Sequence, residues 1–430
     1  MKLIIALFLL YSLAGAKTFT YQQVHSMPTG IEKDYYIWRF LTQRSTNCSQ
    51  AQQIIKDASQ LNKKLRTSYK KKCRVNPKNS QIRGCVERKK QTTKAQRESW
   101  LARKKGISFE AFNKKAIHAL EKRDETLALA YFQKARALAR EQYQADQASF
   151  WLYLITKKKA YIRQLLKSWD TNLYTLLARD MVHAKYPKTI TPSLPKIDLK
   201  YYNASNPIHW THIKNKIFNS NINLVKFANN FKAEESVGVY SYIRTNASKK
   251  REVYYPMPYR NIIGRYPKPR QALLYAIARQ ESRFVPASVS KSFALGMMQI
   301  MPFLIKHIAK ERGENLDYDE MFKPQVAIAY ANHHLNYLTS YLYTPLFVAY
   351  AYNGGIGFTK RLLQDRHYFR AGRYEPLLSM EKMQNVEARE YGKKVLVNFV
   401  IYLNKLGISA RVTPIIKQLT DPRKTDKFRK

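Results

Sequence analysis

The stretch ALLYAIARQESRFVPASVSKSFALGMMQIMP, residues 272–302, has the most regular helical pattern in this chain of 430 residues. Pro269, just upstream, suits the first turn of a helix, because the backbone N–H that proline lacks has no partner there. The apolar face predicted for this helix is formed by Leu274, Ile277 and Ala278. Glu281 belongs to the same face, so we expect its carboxyl group at the end of an apolar stripe.

Three further helices are predicted downstream. Pro324 opens one whose apolar residues alternate at spacings of three and four, which indicates a central, buried helix; they are Ile328, Ala331, Leu335, Leu338 and Leu342. Pro345 opens the next, which should end at Asn353, Gly354 and Gly355 with a left-handed cap. The last runs from about Val386 to Leu406. Because no strand pattern is apparent, we predict an all-α fold.

A second helical region precedes this one. Residues 107–185 lack proline, and their apolar residues recur at helical spacing, as in Leu127, Tyr131, Ala135 and Leu138. Prolines then cluster at 187–207 and again at 256–269, which marks breaks between helical units. We therefore expect stacked helices followed by a linker, and a main domain boundary near residue 265.

Residues 1–16 have the pattern of a secretory signal peptide: Lys2, an apolar run from Leu3 to Leu13, and a small-residue ending at Ala16. The run is much shorter than the ~20 residues of a membrane-spanning helix. We predict cleavage after Ala16 and a mature protein that is soluble outside the cytoplasm.

The cysteines leave two alternatives open. Cys73 and Cys85 would close a short loop in an oxidising compartment, whereas Cys48 would then be unpaired; alternatively, all three are ordinary thiols. No Cys/His group has the spacing of a metal site, since the adjacent His333 and His334 would point about 100° apart on a helix. We predict neither metal nor cofactor.

The chain is strongly basic, with 76 Lys and Arg against 30 Asp and Glu and a formal charge of +46, of which +35 falls on residues 1–270. Such a surface attracts polyanions. Because the protein is expected to be exported, anionic cell-wall polymers and lipid headgroups are favoured over nucleic acid. The most basic stretch, Lys63 to Lys105, is expected to be solvated helix or partly disordered loop.

Glu281 has the features of a proton donor. Burying a carboxyl group on an apolar face raises its pKa, and a value of about 6 or 7 would suit protonation of a glycosidic oxygen. The simpler alternative is a surface glutamate paired with Arg279 or Arg283. On these residues alone, that alternative would be preferred.

Four ordered motifs favour the catalytic interpretation. They are YPMPYRNIIGRYPKP (255–269) with the Glu-Ser, Met-Gln and Met-Pro pairs of 272–302, FKPQVAIAYANHHLNYL (322–338), FVAYAYNGG (347–355) and VEAREY (386–391). Together they resemble the catalytic domain of the soluble lytic murein transglycosylases, which has a lysozyme-like fold. The segment ALAYFQKARALA (128–139) is similar to the helical repeats of the superhelical region in the same family.

The resemblance implies a domain order of signal peptide (1–16), basic superhelix-like region with linker (17–264), lysozyme-like catalytic domain (265–406) and basic tail (407–430). It also implies a periplasmic location. The expected partners are the glycan strands and stem peptides of peptidoglycan, with loose association to an anionic membrane surface left open. The basic amino-terminal region would then help to position the enzyme on its substrate.

The resemblance also assigns site residues. Glu281 would be the lone acid/base, while the substrate would be contacted by Ser290, Met298, Gln299, Met301, Tyr352, Asn353 and Glu387. Each has a structural alternative: a cap for Ser290, core packing for the methionines, a surface amide for Gln299 and an ion pair for Glu387. The sequence departs from the family at Phe293, which replaces a small residue and is expected to narrow one side of the cleft, and at Ala327 and Ala331.

The family's reaction needs one carboxylate, whereas a hydrolytic glycosidase normally needs two. The next acidic residue after Glu281 is Glu311, which fits the single-acid reaction and its 1,6-anhydromuramoyl product. A lysozyme-type hydrolase would instead recruit Asp317, Asp319 or Glu387. A protein that binds polyanions without cleaving them is the third alternative.

Overall fold

The chain is all-α, as predicted. A computed structural model describes residues 17–78, 82 and 107–429, in which it contains helices and isolated β-bridges but no β-strand. The predicted signal peptide at 1–16, the Cys85 thiol and most of the basic stretch after residue 78 lie outside the described residues.

The helices around Glu281 begin where the prolines predict. Proline occupies the first or second position of Lys268–Glu281, Pro302–Glu311, Pro324–Thr339 and Pro345–Gly354. The other helices of this region are Ile356–Gln364, Leu377–Lys382 and Val386–Lys405, with a 3-10 helix at Tyr318–Phe322. The five apolar residues predicted for the central helix are all fully buried.

The cap predicted after Pro345–Gly354 differs in detail. Gly355 has a φ of +85°, a conformation that favours glycine, but its ψ of 150° is not that of a left-handed helical cap. Its N–H donates to the Ala351 carbonyl oxygen at 2.9 Å, and the next helix starts at Ile356. The positive φ of Gly355 therefore turns the chain directly from one helix into the next.

The long helix Val386–Lys405 packs against both Lys268–Glu281 and Pro345–Gly354. Gly392 makes close approach feasible, because a Cβ atom there would lie 2.2 Å from the Tyr350 ring. This arrangement brings one face of each of the three helices together beside Glu281.

The first described segment, residues 17–78, joins the same hydrophobic core. Its helices are Tyr21–His25, Ile31–Thr42, Cys48–Ile54 and Lys63–Cys73. The second of them is buried along nearly its whole length. Its Trp38 ring lies 5.7 Å from Phe293, and its Arg39 guanidinium pairs with Asp317 at 2.6 Å. The segment therefore packs directly on the region that contains Glu281.

A disulfide joins Cys48 to Cys73, whose Cα atoms are 4.9 Å apart. Cys73 is thus not paired with Cys85, the pairing that its sequence spacing had suggested. The reason is tertiary: the helices Cys48–Ile54 and Lys63–Cys73 pack side by side and bring the two thiols together.

Five stacked helices occupy the region predicted for them: Phe109–Glu121, Glu125–Ala137, Gln142–Thr156, Lys159–Lys167 and Leu173–Met181. The predicted apolar face of the second helix is partly right: Ala135 is fully buried, and Tyr131 and Leu138 are partly buried. Leu127 is 42% exposed, whereas Ala128 and Phe132 are fully buried. Phe132 stacks on Trp151 of the following helix at 5.7 Å, and this contact sets the rotation.

Shorter helices form the connection to Glu281. They are Pro207–Asn219, Leu224–Ala228, Val237–Ala247 and Arg260–Ile263, and several of their apolar residues form a smaller core with Val285 and Ala287. Among the described residues, no helix combines the length and apolar character needed to cross a membrane.

Residues 407–429 fold back onto the rest of the protein. They contain the helices Val412–Lys417 and Pro422–Thr425, and Val412 and Leu419 are fully buried. The Arg429 guanidinium is fully buried, pairs with Asp426 at 2.7 Å and donates to the Phe369 carbonyl oxygen at 2.7 Å. The end of the described chain is therefore firmly anchored.

Candidate active site

Glu281 is the last residue of the helix Lys268–Glu281. The three apolar residues predicted to share its face are fully buried, so the apolar stripe is present. The next residue, Ser282, donates its hydroxyl to the Met297 carbonyl oxygen at 2.9 Å. This bond fixes the end of the helix to the loop that carries Met298 and Gln299.

The Glu281 carboxyl group is enclosed by protein but keeps limited contact with solvent. Its Oε1 accepts a hydrogen bond of 2.7 Å from the Tyr391 hydroxyl, and none of the ion pairs in the described residues includes it. Burial raises the pKa of Glu281 to about 8; the Tyr391 hydrogen bond opposes this shift and the nearby Glu387 carboxylate adds to it. The group is therefore mainly protonated at neutral pH.

The surface ion pair considered for Glu281 does not form with Arg279. The Arg279 side chain donates to the Tyr254 carbonyl oxygen at 2.8 Å and to Asn398 Oδ1 at 2.7 Å. Its guanidinium also stacks on the Tyr255 ring at 3.8 Å. These contacts hold the cation on another side of the helix.

Tyr352 lies beside Glu281 and is connected to the methionine loop. Its hydroxyl donates to the Met298 carbonyl oxygen at 2.8 Å. Burial and then the Glu281 charge raise the pKa of Tyr352 well above its usual value, so the phenol stays neutral. The Met298 side chain is fully buried, which fits core packing, whereas Met301 is partly exposed.

Gln299 has its amide hydrogens already engaged. Its Nε2 donates to the carbonyl oxygens of Ser288 at 3.1 Å and Gly296 at 2.8 Å. Gly296 is required in this turn, because it has a φ of +75° and a Cβ atom there would lie 2.0 Å from the Met321 carbonyl oxygen. Gln299 can thus offer a substrate only its amide oxygen, as an acceptor.

Ser290 stabilises its own loop. Its hydroxyl oxygen accepts hydrogen bonds from the backbone N–H groups of Ala294 at 2.9 Å and Ser292 at 3.3 Å. These bonds have the geometry of a cap, which is the structural alternative predicted for Ser290 from the sequence. The hydroxyl proton can still be donated to a ligand.

Asn353 and Glu387 lie together next to Glu281. Asn353 Nδ2 is 3.4 Å from Glu387 Oε1, and the Glu387 side chain is exposed. The Glu387 carboxylate is close enough to raise the pKa of Glu281. Neither of the cations considered for it, Arg389 or Lys394, pairs with Glu387: Arg389 instead pairs with Glu390 at 2.9 Å.

Phe293 does not narrow the site. It is fully buried and contacts Trp38, with its ring also 6.1 Å from Tyr35. The bulky side chain fills the contact with residues 17–78 instead of facing a substrate. Ala327 and Ala331 are likewise fully enclosed in the core.

Two of the carboxylates proposed for a hydrolase are already engaged elsewhere. Asp317 pairs with Arg39, and Asp319 accepts hydrogen bonds from Arg39 at 3.1 Å and from the Tyr35 hydroxyl at 2.8 Å. Of the three candidates, only Glu387 lies near Glu281. In the described part of the chain, no group of three or more His, Cys, Asp or Glu side chains is placed to hold a metal ion.

Two residues beside Glu281 were not identified from the sequence. Tyr391 is the last letter of VEAREY and lies one helical turn after Glu387, so the same motif contained the signal. Ser282 is the second member of the Glu-Ser pair. Its role depends on a contact with Met297, fifteen residues later, which no local pattern indicates.

The fold and site together define a helical, lysozyme-like domain with one protonated glutamic acid at the end of a helix. Residues 261–371 match the family model described as the Transglycosylase SLT domain.

Whole-chain comparisons agree with this match. The chain is 25% identical over 272 residues to the soluble lytic murein transglycosylase of Salmonella typhimurium, covering 60% of this chain and 41% of that protein. It is 25% identical over 304 residues to the protein of the same name from Escherichia coli strain K12, covering 63% and 45%. The chain thus spans less than half the length of these two relatives.

Solved structures show the same fold. The 70 kDa soluble lytic transglycosylase from Escherichia coli matches with a TM-score of 0.52 and 18% identity, over 87% of this chain and 66% of that one. A complex of the 70 kDa soluble lytic transglycosylase with bulgecin A gives the same TM-score and identity, over 88% of this chain.

Proposed function

We propose that this chain is a lytic transglycosylase of peptidoglycan. It cleaves the bond between N-acetylmuramic acid and N-acetylglucosamine and leaves 1,6-anhydromuramoyl ends. The observation that carries the proposal is Glu281, a carboxyl group with a pKa of about 8, no cation beside it and one tyrosine hydrogen bond. The match of residues 261–371 to the SLT domain family model supports the choice of substrate.

In the first half of the reaction, Glu281 acts as the acid. It protonates the bridging oxygen, the bond from that oxygen to C1 of muramic acid breaks, and the N-acetylglucosamine hydroxyl leaves. The acetamido group of the muramic acid stabilises the positive charge that develops at C1. Because Glu281 is protonated at neutral pH, its proton is available before the bond breaks.

In the second half, the same group acts as the base. The Glu281 carboxylate removes the proton of the muramic acid 6-hydroxyl, and the oxygen forms a bond to C1. This step closes the 1,6-anhydro ring without water and regenerates the acid. The Tyr391 hydroxyl donates to Glu281 Oε1, so it stabilises the carboxylate formed between the two steps.

The remaining predicted residues bind and orient the sugars. Gln299 accepts a hydrogen bond from an acetamido N–H, and Ser290 donates its hydroxyl proton to an acetamido oxygen. Tyr352 offers its ring, with Asn353 and Glu387 beside it, while the partly exposed Met301 adds an apolar wall. Met298, whose side chain is buried, contributes by holding Tyr352 through its carbonyl oxygen.

A lysozyme-type hydrolase is the second candidate, because Glu387 provides one other carboxylate near Glu281. Hydrolysis would add one water to each product, which transglycosylation does not. Mass spectrometry of the muropeptides released from purified sacculi distinguishes the two reactions.

The proposed function is tested with Glu281→Gln, which keeps the size of the side chain but cannot give up a proton. We expect release of anhydromuropeptides to fall by about 10³-fold or more. Glu311→Gln is the matched control, because Glu311 is exposed on the same domain, and it should retain full activity. Undiminished release by the Glu281 variant would refute the assignment.

The domain order is part of the proposal. Residues 1–16 act as a cleaved signal peptide that sends the protein to the periplasm, residues 17–264 form a basic helical region, 265–406 the catalytic domain and 407–430 a basic terminal segment. Glycan strands and stem peptides are the partners. Analysis of the amino terminus of secreted protein tests the cleavage after Ala16.

The basic amino-terminal region attracts the carboxylates of the stem peptides, with anionic membrane surface as a weaker partner. Exposed lysines on the helix Lys63–Cys73, including Lys63, Lys70 and Lys71, support this role. Replacing these three with Gln should weaken binding to sacculi and reduce its dependence on salt. An unchanged salt dependence would contradict it.

A further inference from the structure

A row of aromatic rings leads away from the candidate active site. It starts at Tyr352, whose ring centre is 5.7 Å from His334. His334 is followed by Tyr337 at 6.3 Å, Tyr341 at 5.6 Å and Phe428 at 5.7 Å. We call the four rings His334, Tyr337, Tyr341 and Phe428 the aromatic ladder. Each ring contacts the next, and His334 contacts Tyr352, so the ladder extends from the candidate active site at Glu281.

The ladder is accessible to solvent. Tyr337 is 49% exposed and Tyr341 is 37% exposed, while His334 and Phe428 are partly exposed. Large aromatic residues usually bury most of their surface, and a row of exposed rings at helical spacing is typical of a binding surface. The residues His334, Tyr337 and Tyr341 share one face of the helix Pro324–Thr339 and its continuation.

The chain after residue 420 positions Phe428, the last ring of the ladder. The Tyr343 N–H donates to the Thr425 carbonyl oxygen at 2.8 Å, and the Lys427 N–H donates to the Tyr341 carbonyl oxygen at 2.9 Å. The buried ion pair between Arg429 and Asp426 holds the same segment in place. These contacts place the Phe428 ring nearly parallel to Tyr341, at 13°.

Cations accompany the outer rings. Lys427 Nζ lies 5.9 Å from the centre of the Tyr341 ring, and Lys360 Nζ lies 5.9 Å from the centre of the Phe428 ring. Both lysines are exposed. A ligand that lies on these rings would therefore meet positive charge at its outer end.

We propose that the aromatic ladder is a second binding region for the glycan strand, which holds N-acetylated sugars beyond those at Glu281 and attracts their attached carboxylates through Lys360 and Lys427. The inference rests on the proposed function and extends it from the bond that is cleaved to the length of strand that is bound. Sugar rings present flat faces of C–H groups, which pack on aromatic rings, while their hydroxyls stay in solvent. The ring centres of His334 and Tyr337 are 6.3 Å apart and those of Tyr337 and Tyr341 are 5.6 Å apart, a reach that suits a disaccharide.

The ladder predicts that affinity depends on the length of the glycan. A short ligand occupies the sugars near Glu281 and gains nothing from the outer rings. A longer ligand reaches Tyr337 and Tyr341 and binds more tightly. Carboxylates on stem peptides add to the affinity through Lys360 and Lys427.

The experiment measures binding without cleavage, in the Glu281→Gln protein. The probes are the trimer and the hexamer of β-1,4-linked N-acetylglucosamine, and their dissociation constants are measured by calorimetry. Adding Tyr337→Ala and Tyr341→Ala should weaken binding of the hexamer by about tenfold and leave the trimer unchanged. Equal affinity of the hexamer for both proteins would overturn the proposal.

Two control variants separate a lost ring from a damaged fold. Tyr337→Phe with Tyr341→Phe keeps both rings, so it should keep the affinity for the hexamer. Tyr201→Ala removes a tyrosine that is 95% exposed and lies outside the ladder, and it should change neither affinity. If the Phe pair lost as much affinity as the Ala pair, stacking on the rings would be excluded.

The lysines are tested with glycan strands that carry or lack stem peptides. Lys360→Gln with Lys427→Gln should weaken binding only of the strands that carry peptides. An equal loss on both kinds of strand would contradict the role given to the lysines. None of these assays uses cleavage. If binding does not depend on the ladder but the wild-type enzyme releases anhydromuropeptides, only the ladder proposal is refuted. If binding depends on the ladder but no anhydromuropeptides are released, only the proposed function is refuted.

Discussion

Glu281 and Glu381 are two carboxyl groups held against the same helix, Val386–Lys405, in opposite electrostatic surroundings. Glu381 is nearly fully buried and pairs with Lys393 at 3.1 Å, with further hydrogen bonds from Gln147 at 2.7 Å and from the Tyr174 hydroxyl. Glu281 pairs with no cation among the described residues and receives a hydrogen bond from Tyr391. Tyr391 and Lys393 are two residues apart, so they point to roughly opposite faces of the helix.

The difference shows that burial alone does not determine the electrostatic surroundings of a carboxyl group. Glu381 is buried beside the Lys393 ammonium group, and its contacts join the stacked helices to the rest of the protein. Burial beside a neutral phenol leaves the proton in place, with the pKa of Glu281 at about 8. The helix Val386–Lys405 places Tyr391 beside Glu281 and Lys393 beside Glu381. This choice of side chain determines the electrostatic surroundings of each carboxyl group.

The largest change in activity should come from Tyr391→Lys, which gives Glu281 the kind of partner that Glu381 has. An ammonium group favours the carboxylate and lowers the pKa of Glu281, so the acid form becomes scarce at neutral pH. We expect the release of anhydromuropeptides at pH 7 to fall by about 10³-fold, with partial recovery at pH 5.

The control for this change is Tyr391→Phe. It removes the hydrogen bond that opposes the raised pKa of Glu281, so the fall of activity at alkaline pH should move to higher pH. Unaltered activity of the Lys variant at pH 7 would show that protonation of Glu281 does not limit the reaction.

The second test removes the cation from the structural pair. Lys393→Ala leaves Glu381 buried without a positive partner, and we expect the free energy of unfolding to fall by about 3 kcal/mol. Denaturant unfolding measures the loss, while the rate per folded molecule should stay the same. Lys394→Ala is the control, since Lys394 is exposed on the same helix. A rate that fell together with stability would mean that the two carboxyl groups are not independent.

Much of the fold around Glu281 was predictable because its signals are local. Pro269, Pro324 and Pro345 each begin a helix, since the fixed φ of proline acts on its own residue. The buried face of the helix Glu125–Ala137 was predictable only in part: Ala135 is buried as expected, but Leu127 is exposed and Phe132 is buried instead. The contact of Phe132 with Trp151 of the following helix is not visible in the local pattern.

In the candidate site, too, local features were predictable from the sequence and contacts between distant segments were not. The position of Glu281 followed from the helical spacing of its neighbours. The partner of Phe293 could not be predicted, because Trp38 is 255 residues away in the sequence, and neither could the bond from Tyr391, which is 110 residues from Glu281. Contacts between distant segments depend on how the helices pack, and one sequence does not contain that information locally.

A third prediction concerns the pH dependence of the free energy of unfolding that results from Glu281. Between pH 4.5 and about 8, Glu281 is ionised in the unfolded chain but protonated in the folded protein. The folded state then binds more protons, so the free energy of unfolding falls as pH rises through this interval. Glu281→Gln has no such proton, and its advantage over the wild type should grow by about 3 to 4 kcal/mol from pH 5 to pH 8. Denaturant unfolding at both pH values measures it, and a constant difference would contradict the raised pKa.

The weakest effect should come from removing the Glu387 charge, which acts on Glu281. The Glu387 carboxylate disfavours ionisation of Glu281, so Glu387→Gln should lower the pKa of Glu281. Because Glu387 is exposed, solvent screens the interaction, and the alkaline fall of activity should move to lower pH by less than about one unit. The pH profile of kcat on purified glycan strands measures the shift, and raising the salt concentration in the wild type should produce part of it. If Glu387 were instead the second carboxylate of a hydrolase, the variant would lose most of its activity at every pH, and its profile would keep its midpoint.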